Sequence, residues 1–195
     1  MKKVRYAVIG AGWISQEAFL PAVEQTANSE VTAIVSGNPD RAKQLAAFYG
    51  IERVYSYEQF DAMATSGAVD AVYIATPNSS HALYAEQAAK HRLHILCEKP
   101  LATTAAEAER MVAAAKQADV RLSTAYRLHN DPGTIRVMDL IGQGAIGDPR
   151  YFSSTFCYQA AAGNHRLEKS HWGGPLQDIG VYCLNAARHV FRAEP

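Results

Sequence analysis

Val4 to Ser15, VRYAVIGAGWIS, runs a strand into a helix with no linker between them. β-branched and aromatic residues (Val4, Tyr6, Val8, Ile9) lead to Gly10-Ala11-Gly12, and a helix-like run from Trp13 to Thr26 follows at once. Gly10 permits a tight turn and Gly12 lets backbone approach a pyrophosphate. The free N–H groups of the helix start then face the negative charge. Trp13 and Ile14, in the first helical turn, belong to the same candidate cofactor surface. The dinucleotide fingerprint G-x-G-x-x-G has a third glycine where this chain has Ser15, so the match is imperfect. The bland alternative is an ordinary βα turn whose glycines serve shape alone. Position at the head of a series of βα units favours the dinucleotide.

The rest of the chain narrows the class. Its 195 residues suffice for one well-filled core, or for one domain and part of a second. Nineteen Lys and Arg balance nineteen Asp and Glu, which leaves no basic excess for nucleic acid or an anionic membrane. The basic start, Met-Lys-Lys-Val-Arg, leads into no signal-peptide core, because glycine interrupts the apolar run, and no stretch is long enough to span a bilayer. Cys97, Cys157 and Cys183 are odd in number and lack CxxC spacing, so they read as buried free thiols in a reducing compartment. A soluble, cytoplasmic protein without a metal site is expected.

Taken in order, Val31–Val35 is a second strand, and Asn38 and Pro39 suit the N-cap and first position of a helix that stops at Gly50. A short strand at Val54-Tyr55 and a small helix from Tyr57 to Ala64 follow. Asp70–Ala75 is a fourth strand, apolar in its middle as a doubly covered parallel strand should be. Asn78 or Ser79 opens a helix through Ala89, and His94–Cys97 is a fifth strand ending in Glu98-Lys99-Pro100. Thr103 or Thr104 with Glu107 offers a capping box for a helix to Ala118, and Arg121–Ala125 is a sixth strand. This alternation over residues 1–125 predicts a doubly wound parallel (Rossmann) sheet, class α/β. Residues 126–195 differ: a helix over Pro132–Ile141, a β-rich run over Arg150–Tyr158, a polar loop over Gly163–Gly173, and a helix over Pro175–Phe191. They predict the beginning of a truncated α+β sheet domain, begun and unfinished.

Site candidates follow from the strand ends. Where an NAD site places Asp or Glu after the second strand, this chain has Ser36 and Gly37. Arg41 sits in the first turn of the next helix, where the macrodipole opposes a cation by about 0.3–1 kcal/mol. A 2′-phosphate justifies it, so NADP is preferred and NAD is the lesser alternative; a solvated surface arginine is the plain one. Lys99 lies on the carboxyl edge of the sheet, where ligands bind. Asp178, Tyr182 and Asn185, at i, i+4 and i+7, share one helix face, either as a buried hydrogen-bond ladder or as a polar stripe toward substrate.

The ordered motifs GAGWIS, ATPNSSH (Ala75–His81), CEKP (Cys97–Pro100), AYRLH (Ala125–His129) and GGPLQDIGVYCLN (Gly173–Asn185) resemble the Gfo/Idh/MocA oxidoreductase family, and are most similar to its glucose–fructose oxidoreductase branch. The resemblance implies an N-terminal NAD(P) domain, a C-terminal α/β domain with an open antiparallel sheet, and a homo-oligomer for the full-length member. It matches Gly10 and Gly12 to the pyrophosphate turn and Ser36 and Arg41 to the 2′-phosphate. Thr76, Pro77, Asn78 and His81 match the loop beside the cofactor. Glu98 and Lys99 match the pair at the nicotinamide ribose, Lys99 also reaching substrate. Asp178 and Tyr182 match the catalytic helix.

The mechanism so implied is hydride transfer between a sugar or polyol carbon and C4 of nicotinamide, while a base takes the hydroxyl proton. With an ordinary pKa of about 10, Tyr182 needs a nearby cation to act as that base, and Lys99 is the one available. Asp178 orients substrate or Lys99; Arg127 faces cofactor or sugar, and His129 the sugar. His165, Arg166, His171 and Trp172 lie in a loop that either meets substrate or is simply polar. Two other classes stay open: an NADP-binding sensor without turnover, and a glycosidase or dehydratase that uses its cofactor transiently. The chain stops one helix into the substrate domain, so either a fragment of an enzyme or a short product that binds NADP without catalysis is expected, the fragment first.

Overall fold

In the computed structural model, which describes residues 2–194, two compact units divide the chain between Thr124 and Ala125. The strands are β1 (Val4–Ile9), β2 (Ser29–Val35), β3 (Arg53–Tyr55), β4 (Ala71–Ile74), β5 (His94–Glu98) and β6 (Leu122–Ala125). They form one sheet in the order β3-β2-β1-β4-β5-β6, the doubly wound arrangement expected. The registers recorded for β1 with β2 and β4, for β2 with β3, and for β4 with β5 are all parallel. Strand order reverses at β1, so the crevice that such sheets offer to ligands opens between the loops after β1 and β4.

Local chemistry sets the helices. Residues 13–24 are helical, opening as a π turn (Ser15–Phe19) that continues into α1 (Leu20–Glu24), two residues short of the predicted end. Asn38 caps α2 (Pro39–Tyr49) by accepting the Arg41 amide at 3.0 Å, and Gly50 ends it in the left-handed region. α3 (Phe60–Ala64) and α4 (His81–Lys90) each begin through a 3-10 turn. Thr104 caps α5 (Ala105–Ala118), while Glu107 reaches back to the amide and hydroxyl of Thr103 rather than to the cap itself. Ile9, Val35, Val72, Ile74 and Ile95 lie in one buried cluster with Ala85, Ala88 and Met111 from the covering helices. The small alanines let α4 approach the sheet closely, and truncating Ile74 there would cost about 2–5 kcal/mol.

The second unit holds α6 (Pro132–Gly142), capped by Asp131, and α7 (Val181–Phe191), preceded by a π turn over Leu176–Gly180. The run predicted as a strand, Arg150–Tyr158, forms none. Strands are stabilised by a paired neighbour, and among the described residues no strand lies beyond β6 for it to pair with. The thiols differ from expectation in the same region. All three are free, but only Cys97 is buried; Cys183 is half-buried, and Cys157, in that unpaired run, is exposed. No helix among the described residues is long and apolar enough to cross a membrane.

Candidate functional site

The glycine turn is built by contrast between its two glycines. Gly10 has φ +102°, and a Cβ placed on it would lie 2.7 Å from the Ala75 carbonyl oxygen at the end of β4. The loops after β1 and β4 therefore touch backbone to backbone, which only glycine allows. A Cβ on Gly12 meets nothing within 4 Å. Its backbone faces open space at the start of the helix. Ser15, at the third glycine position, is fully buried, and its hydroxyl donates to the Gly10 carbonyl at 2.6 Å. The departure from the fingerprint is thus a hydrogen bond that closes the turn. Trp13 stands exposed beside it, and Ile14 is half-buried.

After β2, Ser36 is buried; its amide donates to Tyr55 O at 3.0 Å and its Oγ accepts the Asn38 amide at 3.1 Å. Gly37 packs on Tyr57, whose ring lies 3.1 Å from a Cβ built there. Arg41 is exposed on the first turn of α2. Hydroxyl, helix start and guanidinium share one corner of the sheet's carboxyl edge.

The loops after β4 and β5 are joined through side chains. Thr76 is buried, and Ser80 Oγ stands 2.9 Å from both Thr76 Oγ1 and Pro77 O. Pro77 and Asn78 are half-buried, and Asn78 starts the 3-10 turn before α4. His81 is 1% exposed, with Nε2 3.0 Å from Thr76 O and Nδ1 2.9 Å from Pro100 O. Burial, reinforced by the charge of Lys99, pushes the imidazole below its ordinary value against the pull of the carbonyls around it. Glu98 accepts from Tyr73 Oη at 2.7 Å and from the Lys99 amide at 3.2 Å. Lys99 is half-buried.

Tyr73 is a residue that the sequence reading missed. It is 2% exposed in β4 and stacks on Phe19 with ring centroids 3.8 Å apart. The available signal was a phenol in an otherwise apolar buried strand, where a hydroxyl must find a partner.

Within the second unit, Asp178 is buried and accepts from Tyr158 Oη at 2.6 Å and from Arg166 Nε at 3.2 Å. Burial, then the Asp178 hydrogen bond and charge, push the Tyr158 phenol above its ordinary value, and Arg166 opposes them. Tyr182 is half-buried, its ring 5.3 Å from Tyr126 and 5.1 Å from Phe156. Tyr126 Oη lies 3.5 Å from the Tyr182 carbonyl. Asn185 lines a cavity of about 370 Å³ with His129, Arg188 and His189. Asp178, Tyr182 and Asn185 thus each have partners of their own within this unit. Asp178 lies in the π turn Leu176–Gly180, directly ahead of the helix that carries Tyr182 and Asn185. Arg127 is exposed, in a 3-10 turn with His129, while His171 and Trp172 are half-buried. The side chain of His165 lies outside the described residues. Among the described residues, no group of three or more His, Cys, Asp or Glu is arranged to hold a metal.

Comparison with known proteins extends this picture. The profile described as "Oxidoreductase family, NAD-binding Rossmann fold" matches residues 4–126, and that of the "GFO/IDH/MocA C-terminal domain" matches residues 134–195. D-xylose 1-dehydrogenase [NADP(+)] of Haloarcula marismortui is 39% identical over 98% of this chain and 55% of its own length. A dTDP-3,4-didehydro-2,6-dideoxy-alpha-D-glucose 3-reductase of Actinomadura kijaniata is 36% identical over 94% of this chain and 55% of its own. The aldose-aldose oxidoreductase of Caulobacter crescentus, solved with glycerol, superposes with a TM-score of 0.90 at 36% identity, covering 100% of this chain and 59% of that one. A 3-ketoreductase from Actinomadura kijaniata, solved with NADP and TDP-benzene, gives 0.89 at 36%, covering 96% and 57%. The chain thus spans little more than half the length of these relatives. With both profiles matched in order, and the glycine turn and strand order that go with them, the chain belongs to the Gfo/Idh/MocA oxidoreductase family.

Proposed function

We propose that this chain supplies the NADP site and the proton-handling residues of an oxidoreductase acting on a sugar or polyol. The observation that carries the reading is the pair of glycines after β1: one wedged against Ala75, the other opening bare backbone at a helix start. That cradle fits a pyrophosphate, held by Gly10, Gly12 and the first helical turn with Trp13 and Ile14. Ser36, Gly37 and Arg41 form the corner for the adenosine ribose. A hydroxyl and a guanidinium there, with Ser36 in place of a carboxylate at the strand end, suit a 2′-phosphate better than a bare 2′-hydroxyl. When bound, NADP supplies a carbon that gives or takes hydride.

The chain's residues do the rest. Thr76, Pro77, Asn78 and Glu98 form the nicotinamide side of the cofactor site, with His81 buried behind them rather than facing the cofactor; Tyr73 and the Lys99 amide fix the Glu98 carboxylate in place. Lys99 and Tyr182 handle the hydroxyl proton, Asp178 orients, and Arg127 and His129 meet the sugar. The named activities of the relatives, an NADP-linked xylose dehydrogenase and a sugar 3-reductase, support the substrate class. The three free cysteines agree with a cytoplasmic enzyme.

The test is a fluorescence titration with NADPH and NADH, followed by turnover on a panel of aldoses and inositols in the full-length protein. NADPH should bind at least tenfold tighter, and Lys99→Met and Tyr182→Phe should each lower kcat by a hundredfold or more with the NADP Kd unchanged. Equal binding of both cofactors refutes the Ser36–Arg41 assignment. NADP binding with no sugar-dependent absorbance change at any substrate identifies a sensor instead.

A further inference from the structure

The buried imidazole of His81 faces more acceptors than it has protons. Thr76 O lies 3.0 Å from Nε2, Pro100 O lies 2.9 Å from Nδ1, and the Leu101 carbonyl also acts on the ring. A neutral imidazole donates from one nitrogen only. Burial and the Lys99 charge keep the ring neutral near pH 7. One proton is therefore contested by two loops: the one after β4, which opens at Thr76, and the one after β5, which carries Lys99. Two of the three carbonyls, those of Pro100 and Leu101, belong to the Lys99 loop.

We infer that His81 is a positioning residue, whose Nδ1–H holds the Pro100 carbonyl and so fixes where Lys99 stands. The ring touches neither solvent nor an open surface, so it acts through the backbone it holds. Pro100 directly follows Lys99, and a tie on its carbonyl limits how far the lysine's backbone can swing. The Nε2 side abuts Thr76 O without a proton of its own. Lengthening that contact costs the Lys99 loop nothing.

This inference rests on the assignment of Lys99 to proton handling, and three substitutions separate the two. An asparagine amide places its N–H₂ where Nδ1 stands; a glutamine amide reaches toward the place of Nε2. In the full-length protein, His81→Asn should keep kcat, and the rate at which a lysine-acylating reagent labels Lys99, within threefold of wild type. His81→Gln and His81→Phe should lower kcat tenfold or more and change the Lys99 labelling rate, with KM for NADP moving less than threefold. Two-bond ¹H–¹⁵N spectra of the wild type should show a pyrrole-type Nδ1 and a pyridine-type Nε2. The inference is overturned if glutamine preserves Lys99 and asparagine does not, if the spectra show the opposite tautomer, or if all three variants change only the melting temperature. Should His81→Phe fail to fold, the asparagine–glutamine contrast still decides. Should the wild type turn over no sugar, the functional assignment fails, and the labelling rates and spectra still test the tie.

Discussion

Ser15 and Gly10 are bonded to each other across the turn that the sheet is wound around: the serine hydroxyl, fully buried, donates to the glycine carbonyl at 2.6 Å. A third glycine would pack as closely but leave that carbonyl without the donor. Ser15→Ala should therefore cost about 1–2 kcal/mol, the penalty of an unsatisfied buried acceptor. Ser15→Gly should cost about 1 kcal/mol more, since glycine loosens a helix. NADPH affinity should stay within about threefold in both, because the hydroxyl is turned inward to the protein. Urea unfolding and fluorescence titration of the two variants check both parts.

Gly10 and Gly12 should fail in opposite ways. An alanine at 10 would drive its Cβ to 2.7 Å from one backbone atom and 2.9 Å from the next, at a φ that alanine avoids. A loss of about 3 kcal/mol or more is expected, with little folded protein recovered. An alanine at 12 meets nothing, so stability should hold within about 0.5 kcal/mol. Its methyl would occupy the space proposed for the pyrophosphate, and NADPH affinity should fall at least about tenfold, or 1.4 kcal/mol. A Gly12→Ala protein that binds NADPH like wild type removes the cofactor from this turn.

The first unit was legible because its determinants are local. Asn38-Pro39, Thr104 with Glu107, and the glycines at 10 and 50 each announce an element within a few residues of themselves. What escaped was non-local. Tyr73 reads as one more apolar strand residue until β5 brings Glu98 within 2.7 Å of its hydroxyl. Arg150–Tyr158 has the composition of a strand, but composition supplies no neighbour, and the run stays unpaired. The π turns at Ser15–Phe19 and Leu176–Gly180 are equally silent in a 3.6-residue pattern. Asp178 was found as a candidate; its partners Tyr158 and Arg166 lie 20 and 12 residues away along the chain.

Acid should weaken the first unit through Asp70. Its carboxylate accepts from Arg5 Nε at 2.9 Å, Arg5 Nη2 at 2.6 Å and the Arg5 amide at 3.1 Å, which joins the start of β1 to the residue before β4. The Arg5 guanidinium, chiefly by hydrogen bonding, lowers the Asp70 pKa from 3.8 to about 2. A carboxyl depressed on folding stabilises the folded state above its unfolded pKa, and the gain disappears as pH falls through the folded one. With the side chains 28% exposed, solvent screening trims the contribution to about 1 kcal/mol. Asp70→Asn should lose about that much at pH 7, and the gap to wild type should close between about pH 4 and pH 2. Denaturant unfolding at pH 7 and pH 3 measures it; an equal gap at both means that the pair contributes through geometry rather than charge.

Asp178 and Arg166 pull the Tyr158 phenol in opposite directions, and that can be read without any substrate. Burial is the largest cause of its raised pKa, followed by the Asp178 hydrogen bond and charge, with Arg166 lowering it. Asp178→Asn removes the negative charge, so the Tyr158 titration should move down. Arg166→Met removes the opposing cation and should move it up. Phenolate absorbance against pH, with Tyr158→Phe to assign the transition, follows each shift. Displacements of opposite sign mean that Asp178 is ionised and engaged by both partners, a carboxylate already oriented before any sugar arrives. If the two variants leave the titration where it was, Asp178 is not held by this pair in solution, and its orienting role has no support.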